Sequence, residues 1–309
     1  MPPRLGIATA ALLAAAGLLA TACSAGNATD SAGSGVITAV GAENEYANVI
    51  GQIGGRYVKV TAIESNPNTD PHTFEASPSV AQEVSKAQLV VQNGIGYDTY
   101  MNKIESASPS SSRKVIVVQN LLGLPDSTPN PHLWYRPNTM PAVAKALVKD
   151  LSALSPSHSA YFTANAKKFD ASLQPWYQAI AQFKAAYPDT PVAVTEPVGD
   201  YMLQAAGTSI LTPFTLQAEI MNGVDPSPQD VSMQNGFFTG HKVKVFVYNQ
   251  QVTDSLTESF LSLAHREGIP VVGVYETMPT PGYDYQSWML AEVKALQKAV
   301  ADKTSTVKL

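Results

Sequence analysis

Five histidines are spread over the 309 residues, and two of them share one local setting. His72 lies in Asp70-Pro71-His72-Thr73-Phe74-Glu75 and His132 in Asn130-Pro131-His132-Leu133-Trp134. In each, a proline stiffens the backbone beside the imidazole and an aromatic follows two residues later. Imidazole is the commonest protein ligand for metals, and a rigid neighbour holds the ring in one orientation. Two glutamates repeat the theme, Glu196 in Thr195-Glu196-Pro197 and Glu276 in Tyr275-Glu276-Thr277. A lone glutamate in such a place serves equally well as a solvated loop residue. Two carboxylates matched to two proline-flanked histidines make a four-ligand set for a divalent cation. His158, His241 and His265 have polar or helix-terminal neighbours and read as surface residues.

The elements around these residues explain why they are matched. Short β-branched runs at 36–40, 57–63, 88–92 and 114–118 alternate with helical patterns at 43–53, 79–86 and 97–106. A second series has strands at 191–194, 209–212, 242–248 and 270–274, with helices at 198–206, 229–239, 253–267 and 287–302. Strand–helix alternation predicts parallel βα units with helices over both faces. His72 and His132 then follow strands of the first series, while Glu196 and Glu276 end strands of the second. Ligand sites in open α/β sheets collect at these carboxyl ends. Between the series, Tyr161, Phe162, Phe169, Leu173, Trp176, Ile180 and Phe183 mark one face of a long amphipathic helix. Pro175 should kink or split it, because proline removes an interior hydrogen bond.

The organisation expected is a signal peptide over 1–22, a flexible tether over 23–35, an N-terminal βα lobe over 36–155, a connecting long helix over 156–187 and a C-terminal βα lobe over 188–309. The fold class is α/β, with two mainly parallel four-stranded sheets joined by one rigid helix and a metal site in the cleft between lobes. The leader has Arg4 as its single charge, then an apolar, alanine-rich centre and small residues up to Ala22, the pattern of a secretory signal. The single cysteine, Cys23, follows at once in a lipobox-like Ala20-Thr21-Ala22-Cys23. The net charge of −5 argues against nucleic acid as a partner, since phosphate contacts need a basic face. One cysteine excludes an intrachain disulfide framework and an all-cysteine zinc site.

The chain resembles the zinc/manganese group of substrate-binding proteins of ABC importers over essentially its whole mature length. The residues that carry the resemblance are Ala42-Glu43-Asn44, Gln52-Ile53-Gly54-Gly55, Asp70-Pro71-His72, Asn93-Gly94-Ile95-Gly96-Tyr97-Asp98 and Asn130-Pro131-His132-Leu133-Trp134. The resemblance implies metal ligation by His72, His132, Glu196 and Glu276, with Asp284 as an alternative for the last. It implies capture of Mn²⁺ or Zn²⁺, or Fe²⁺, and delivery to a permease and its ATPase subunit. It also implies a monomer held at the outer face of the cytoplasmic membrane by a lipid on Cys23. The His/Asp/Glu-rich loop common in zinc importers is missing before His132, where 121–130 carries only Asp126. Two nitrogens with two carboxylates shift the preference toward Mn²⁺ or Fe²⁺, although zinc accepts such a set.

Two other classes compete with this one. A mononuclear metalloenzyme needs an open coordination position, whereas all four ligands here come from protein, and neither a glycine-rich phosphate loop nor a His-Glu-x-x-His helix is present. No enzymatic activity is therefore expected. A siderophore or other organic-ligand binder would use an aromatic- or arginine-lined cleft, to which Trp134 and Arg136 are the candidates. The leader reading is tested by Cys23→Ala, which should move the protein from the membrane fraction to the soluble one; unchanged retention would remove the lipid anchor.

Overall fold

The computed structural model describes residues 35–309, so the signal peptide, Cys23 and nearly all of the tether lie outside the described residues. The first lobe is built on β1 (Ile37–Glu43), β2 (Val58–Glu64), β3 (Leu89–Gln92) and β4 (Lys114–Val117). The second is built on β5 (Pro191–Val194), β6 (Ser209–Ile210), β7 (Val245–Asn249) and β8 (Val271–Val274). Every pairing is parallel, and the spatial orders are β2-β1-β3-β4 and β6-β5-β7-β8, so the lobes repeat one topology. β3, β7 and β8 are buried at every residue. Their near-continuous Val, Leu and Phe runs suit strands covered by helices on both faces.

The first helix, Asn44–Gly54, starts directly after β1. Tyr46, Val49, Ile50 and Ile53 are buried in the first lobe. Its other stripe is Asn44, Asn48 and Gln52, spaced four apart and hence on one face. All three reach the second lobe. Asn44 and the Met278 backbone exchange two hydrogen bonds of 2.9 Å, Asn48 accepts from the Tyr285 amide at 3.1 Å, and Gln52 pairs with Gln286 at 2.9 and 3.0 Å. The helix stops at Gly55, whose positive φ of 51° suits a residue without a Cβ.

The connecting segment is two helices rather than one, Ser159–Ser172 and Gln174–Ala186, preceded by a 3₁₀ turn at Pro156–His158. The break falls at Leu173, because Pro175 has no N–H to continue the ladder. The earlier half packs on Asn44–Gly54 and on Thr139–Leu154, and the later half packs on the last helix, Tyr285–Asp302. Both halves turn aromatic residues inward, and Trp176 meets Tyr285 edge-on at 6.0 Å. One continuous apolar cluster runs from Ile37 and Ile50 through Trp176 to Val272, Trp288 and Leu296, so the lobes share a core. The helix Phe214–Met221 is absent from the sequence reading, and the strand expected over 242–248 begins only at Val245. There the Lys242 amide closes a turn onto Phe237 instead.

Lobes that share a core and a three-rung amide stripe have little freedom to rotate. Small-angle scattering curves recorded with and without a divalent metal should superimpose, and a large change in radius of gyration would contradict this.

Candidate metal centre

Both proline–histidine loops are held by the same local device. In Asp70-Pro71-His72 the Asp70 carboxylate accepts from the His72 amide at 2.8 Å and caps a 3₁₀ turn. In Asn130-Pro131-His132 the Asn130 Oδ1 accepts from the His132 amide at 2.9 Å. An Asx side chain bonding to the backbone two residues on is a turn that proline pre-forms. Asn130 does more, because its Oδ1 also accepts from His132 Nδ1 at 2.8 Å. That places the ring proton on Nδ1 and leaves the Nε2 lone pair free for a ligand. Asn130 is itself tied to the second lobe, donating to the Pro197 carbonyl at 2.6 Å and accepting at its own carbonyl from Tyr201 at 2.9 Å.

The two Nε2 atoms converge on a single oxygen. Glu276 Oε2 stands 3.0 Å from His72 Nε2 and 3.1 Å from His132 Nε2. Tyr97 donates its hydroxyl to the same oxygen at 3.0 Å. His72, His132 and Glu276 form the one group of three ligating side chains among the described residues whose donor atoms all lie within 4.8 Å of one another. The His132 and Glu276 side chains have no exposure, and His72 retains 21%. Burial raises the Glu276 pKa, but the two imidazoles beside it more than reverse that and hold it below the ordinary carboxylate range. At His132 burial lowers the pKa and outweighs the opposing pull of Glu276. At His72 burial also lowers the pKa, but Glu276 outweighs it and the net shift is upward.

Glu196 stands outside this trio. Its Oε1 accepts from Asn249 Nδ2 at 3.2 Å, and the same nitrogen donates to Glu276 Oε1 at 2.8 Å. Glu196 is 2% exposed, and its Oε2 is buried with no hydrogen-bond partner. Burial first, and then the Glu276 charge, push its pKa well up. Asp284 is elsewhere. It caps the last helix, accepting from the Ser287 amide at 2.9 Å, and is not among the three converging side chains. The aromatic–arginine alternative also fails, because Trp134 is fully buried edge-on to His132 and Arg136 lies over the Tyr201 ring. His158 stacks on Tyr57, and His241 pairs with Glu267 at the surface.

Two supporting residues, Asn249 and Gln251, had no role in the sequence reading, and a third, Tyr97, entered it only within the Asn93–Asp98 motif. Asn249 ends β7 and Gln251 follows it; Gln251 Oε1 accepts from the amides of Glu276 and Thr277 at 2.7 and 2.8 Å and so fixes the loop after β8. Tyr97 comes from a loop with positive φ at Gly94, Ile95 and Gly96. Ile95 in that region costs about 1–3 kcal/mol. The loop is closed by Asp98, which accepts from the Asn93 and Gly94 amides at 2.6 and 2.9 Å. Asn93 in turn donates to the Pro131 carbonyl at 2.8 Å, beside His132. The repeated asparagine and glycine types signalled a turn, but what the turn presents depends on the other lobe.

A cavity of about 990 Å³ between the lobes opens onto His72. Asp70, Glu75 and Asp254 line it, with Glu64 behind them, against the single cation Lys103, which makes it attractive to cations. Behind Glu64 lies a feature not foreseen from sequence. Glu43 and Glu64 are register partners on β1 and β2, and Glu45 opens the first helix. All three are buried, and none of their six carboxyl oxygens has a hydrogen-bond partner. Burial, and then mutual repulsion with Glu45, Asp98 and Glu276, push Glu64 up to about 9. Burial takes Asp98 up to about 6.

Two parallel βα lobes that deliver donors from their strands' carboxyl ends into a shared cleft define the class of two-lobed solute-binding proteins. Residues 40–299 match the family described as ZnuA, zinc-uptake complex component A, periplasmic, and the chain belongs to that family. It is 28% identical over 172 residues to the manganese-binding lipoprotein MntA of Bacillus subtilis (strain 168), covering 52% of this chain and 56% of that one. It is 24% identical over 179 residues to the manganese ABC transporter substrate-binding lipoprotein PsaA of Streptococcus pneumoniae serotype 4, covering 53% and 56%. The matches thus span about half the length of these relatives. In fold it is similar to the periplasmic zinc binding protein TroA of Treponema pallidum, with a TM-score of 0.69 and 17% identity, covering 84% of this chain and 99% of that one.

A carboxyl whose folded pKa exceeds its unfolded value, about 4.5, favours the native state most below that value. The benefit is lost as pH rises toward the folded pKa. Between pH 5 and pH 9 the melting temperature should therefore fall, and Glu64→Gln should flatten that decline and melt higher than wild type at pH 9. An unchanged slope in calorimetric scans would mean that Glu64 is not held protonated.

Proposed function

We propose that this protein captures a divalent transition-metal ion, Mn²⁺ or Zn²⁺, outside the cytoplasmic membrane and passes it to the permease of an ABC importer. The carrying observation is the convergence of His72 Nε2 and His132 Nε2 on Glu276 Oε2 at 3.0 and 3.1 Å. Metal–ligand bonds of about 2.0–2.2 Å leave neighbouring donors about 2.9–3.4 Å apart, so this spacing suits three ligands of one ion. Glu196 is the fourth ligand in this reading. Its Oε2 is buried without a partner, and its Oε1 shares the Asn249 amide with Glu276 of the trio. Burying a carboxylate without a partner is costly, and a cation would remove that cost.

Each part of the surroundings has a role in such a capture. The acidic cavity draws a cation toward His72, the ligand with an exposed face. His132, Glu276 and Glu196 then complete a shell inside. The relatives' names, a manganese-binding lipoprotein and a substrate-binding lipoprotein of a manganese ABC transporter, support an ABC importer as partner and a lipid on Cys23 as anchor. Ligand capture needs no bond-making step, so no catalytic residue is assigned.

Calorimetric titration of Mn²⁺ and Zn²⁺ tests the ligand set. His72→Ala, His132→Ala, Glu276→Ala and Glu196→Ala should each weaken binding by about tenfold or more, since each removes a donor from a desolvated shell. Asp284→Ala and His241→Ala should bind as wild type does. Normal binding by both His72→Ala and His132→Ala would end the metal-site reading, and normal binding by Glu196→Ala alone would reduce the shell to three protein ligands.

A further inference from the structure

We infer that Asn249 is a positioning residue that limits Glu196 and Glu276 to one coordinating oxygen each and thereby biases the site toward Zn²⁺ over Mn²⁺. The inference rests on reading those two glutamates as ligands. A primary amide nitrogen carries two hydrogens, and Asn249 spends one on each carboxylate, reaching Glu276 Oε1 at 2.8 Å and Glu196 Oε1 at 3.2 Å. The oxygens that Asn249 leaves are Glu276 Oε2, which accepts from Tyr97 and on which both imidazoles converge, and Glu196 Oε2, which has no partner.

The amide cannot turn away from this task. Asn249 has no exposed surface. Its Oδ1 accepts from the Gln251 amide at 3.0 Å, and its own amide donates to Thr195 Oγ1 at 2.9 Å. A flipped side chain would set Oδ1 against two carboxylates and leave the Gln251 amide facing an NH₂ group. Drawing either Oε1 onto an ion would strand a buried N–H, and that loss is heavier than for a neutral pair because the acceptor is charged. Two-point coordination by either glutamate is therefore disfavoured.

The count of donors follows. Two Nε2 atoms and two Oε2 atoms make four ligands. Four is the usual number for Zn²⁺, whereas Mn²⁺ takes six oxygen-rich ligands when it can. Donor types alone lean toward manganese; the hydrogen bonds behind them lean toward zinc. With the amide gone, each carboxylate can add its second oxygen, raising the number from four to six.

The test substitutes Co²⁺ for the cargo and reads its visible spectrum, intense for four-coordinate and weak for six-coordinate Co²⁺, beside Zn²⁺/Mn²⁺ competition titrations. Wild type should give the intense spectrum. Asn249→Leu, similar in volume and without a donor, should lose intensity, and its Zn²⁺-over-Mn²⁺ affinity ratio should fall by about tenfold, the weight of one hydrogen bond to a charged group. Asn249→Asp keeps the shape and removes the amide, so it should fall in the same direction and serves if the leucine variant does not fold. A weak wild-type spectrum overturns the inference without any variant. So does an unchanged ratio and spectrum in a folded variant. His132→Ala separates the two levels: if it binds Co²⁺ like wild type, the ligand reading has failed, and if it loses Co²⁺ while the Asn249 variants are unchanged, only the role of Asn249 has.

Discussion

A carboxylate removed wholly from water must have every lone pair answered, and Glu276 is that carboxylate. Its Oε1 accepts from Asn249 and its Oε2 from Tyr97, with His72 Nε2 and His132 Nε2 at 3.0 and 3.1 Å from that same oxygen. Each comes from a different loop or its strand stem: Asn249 from the last position of β7, Tyr97 after β3, His72 after β2 and His132 after β4. The lobes cannot separate without exposing or orphaning this group. Much of the rest serves to bring those four loops to one point. Gln251 pins the Glu276 backbone, Asn93 pins the loop before His132, and the Asn44–Asn48–Gln52 stripe holds the second lobe against the first.

The same low-dielectric interior explains the buried glutamates beside the site. Glu43, Glu45 and Glu64 have neither cationic nor hydrogen-bond partners among the described residues, and burial raises the pKa of each. Protonated, they add no like charge to Glu276. Their proximity to a cleft that attracts cations sets up a tension between binding protons and tolerating a metal charge nearby. Glu292 shows the milder form, with a pKa pushed up to about 8 by burial although Tyr135 and Trp288 donate to its Oε1 at 2.8 and 2.7 Å. It joins Tyr135 of the first lobe to the last helix, so a buried acid again sits at the seam.

Much of this was legible in the residues themselves. The alternation of β-branched runs and helical stretches determined two parallel βα lobes, because a strand covered on both faces has few other compositions. Asp70-Pro71-His72 and Asn130-Pro131-His132 encode their own turns through contacts two residues apart, so both histidines were visible as presented side chains. Glu276 and Glu196 were visible as strand-end carboxylates, and Pro175 marked where the connecting helix divides. Which carboxylate meets the imidazoles was decided by tertiary structure alone. Glu276 and Glu196 look alike in sequence, yet one shares an oxygen with both histidines and the other stands behind an asparagine. Asn249 carried no signal and Tyr97 only that of its turn motif, since their roles arise from a partner 27 and 179 positions away; the meeting of Glu43 with Glu64 likewise awaited the sheet register. Local sequence sets what a residue can donate; the packing of the lobes sets which buried charge it must answer.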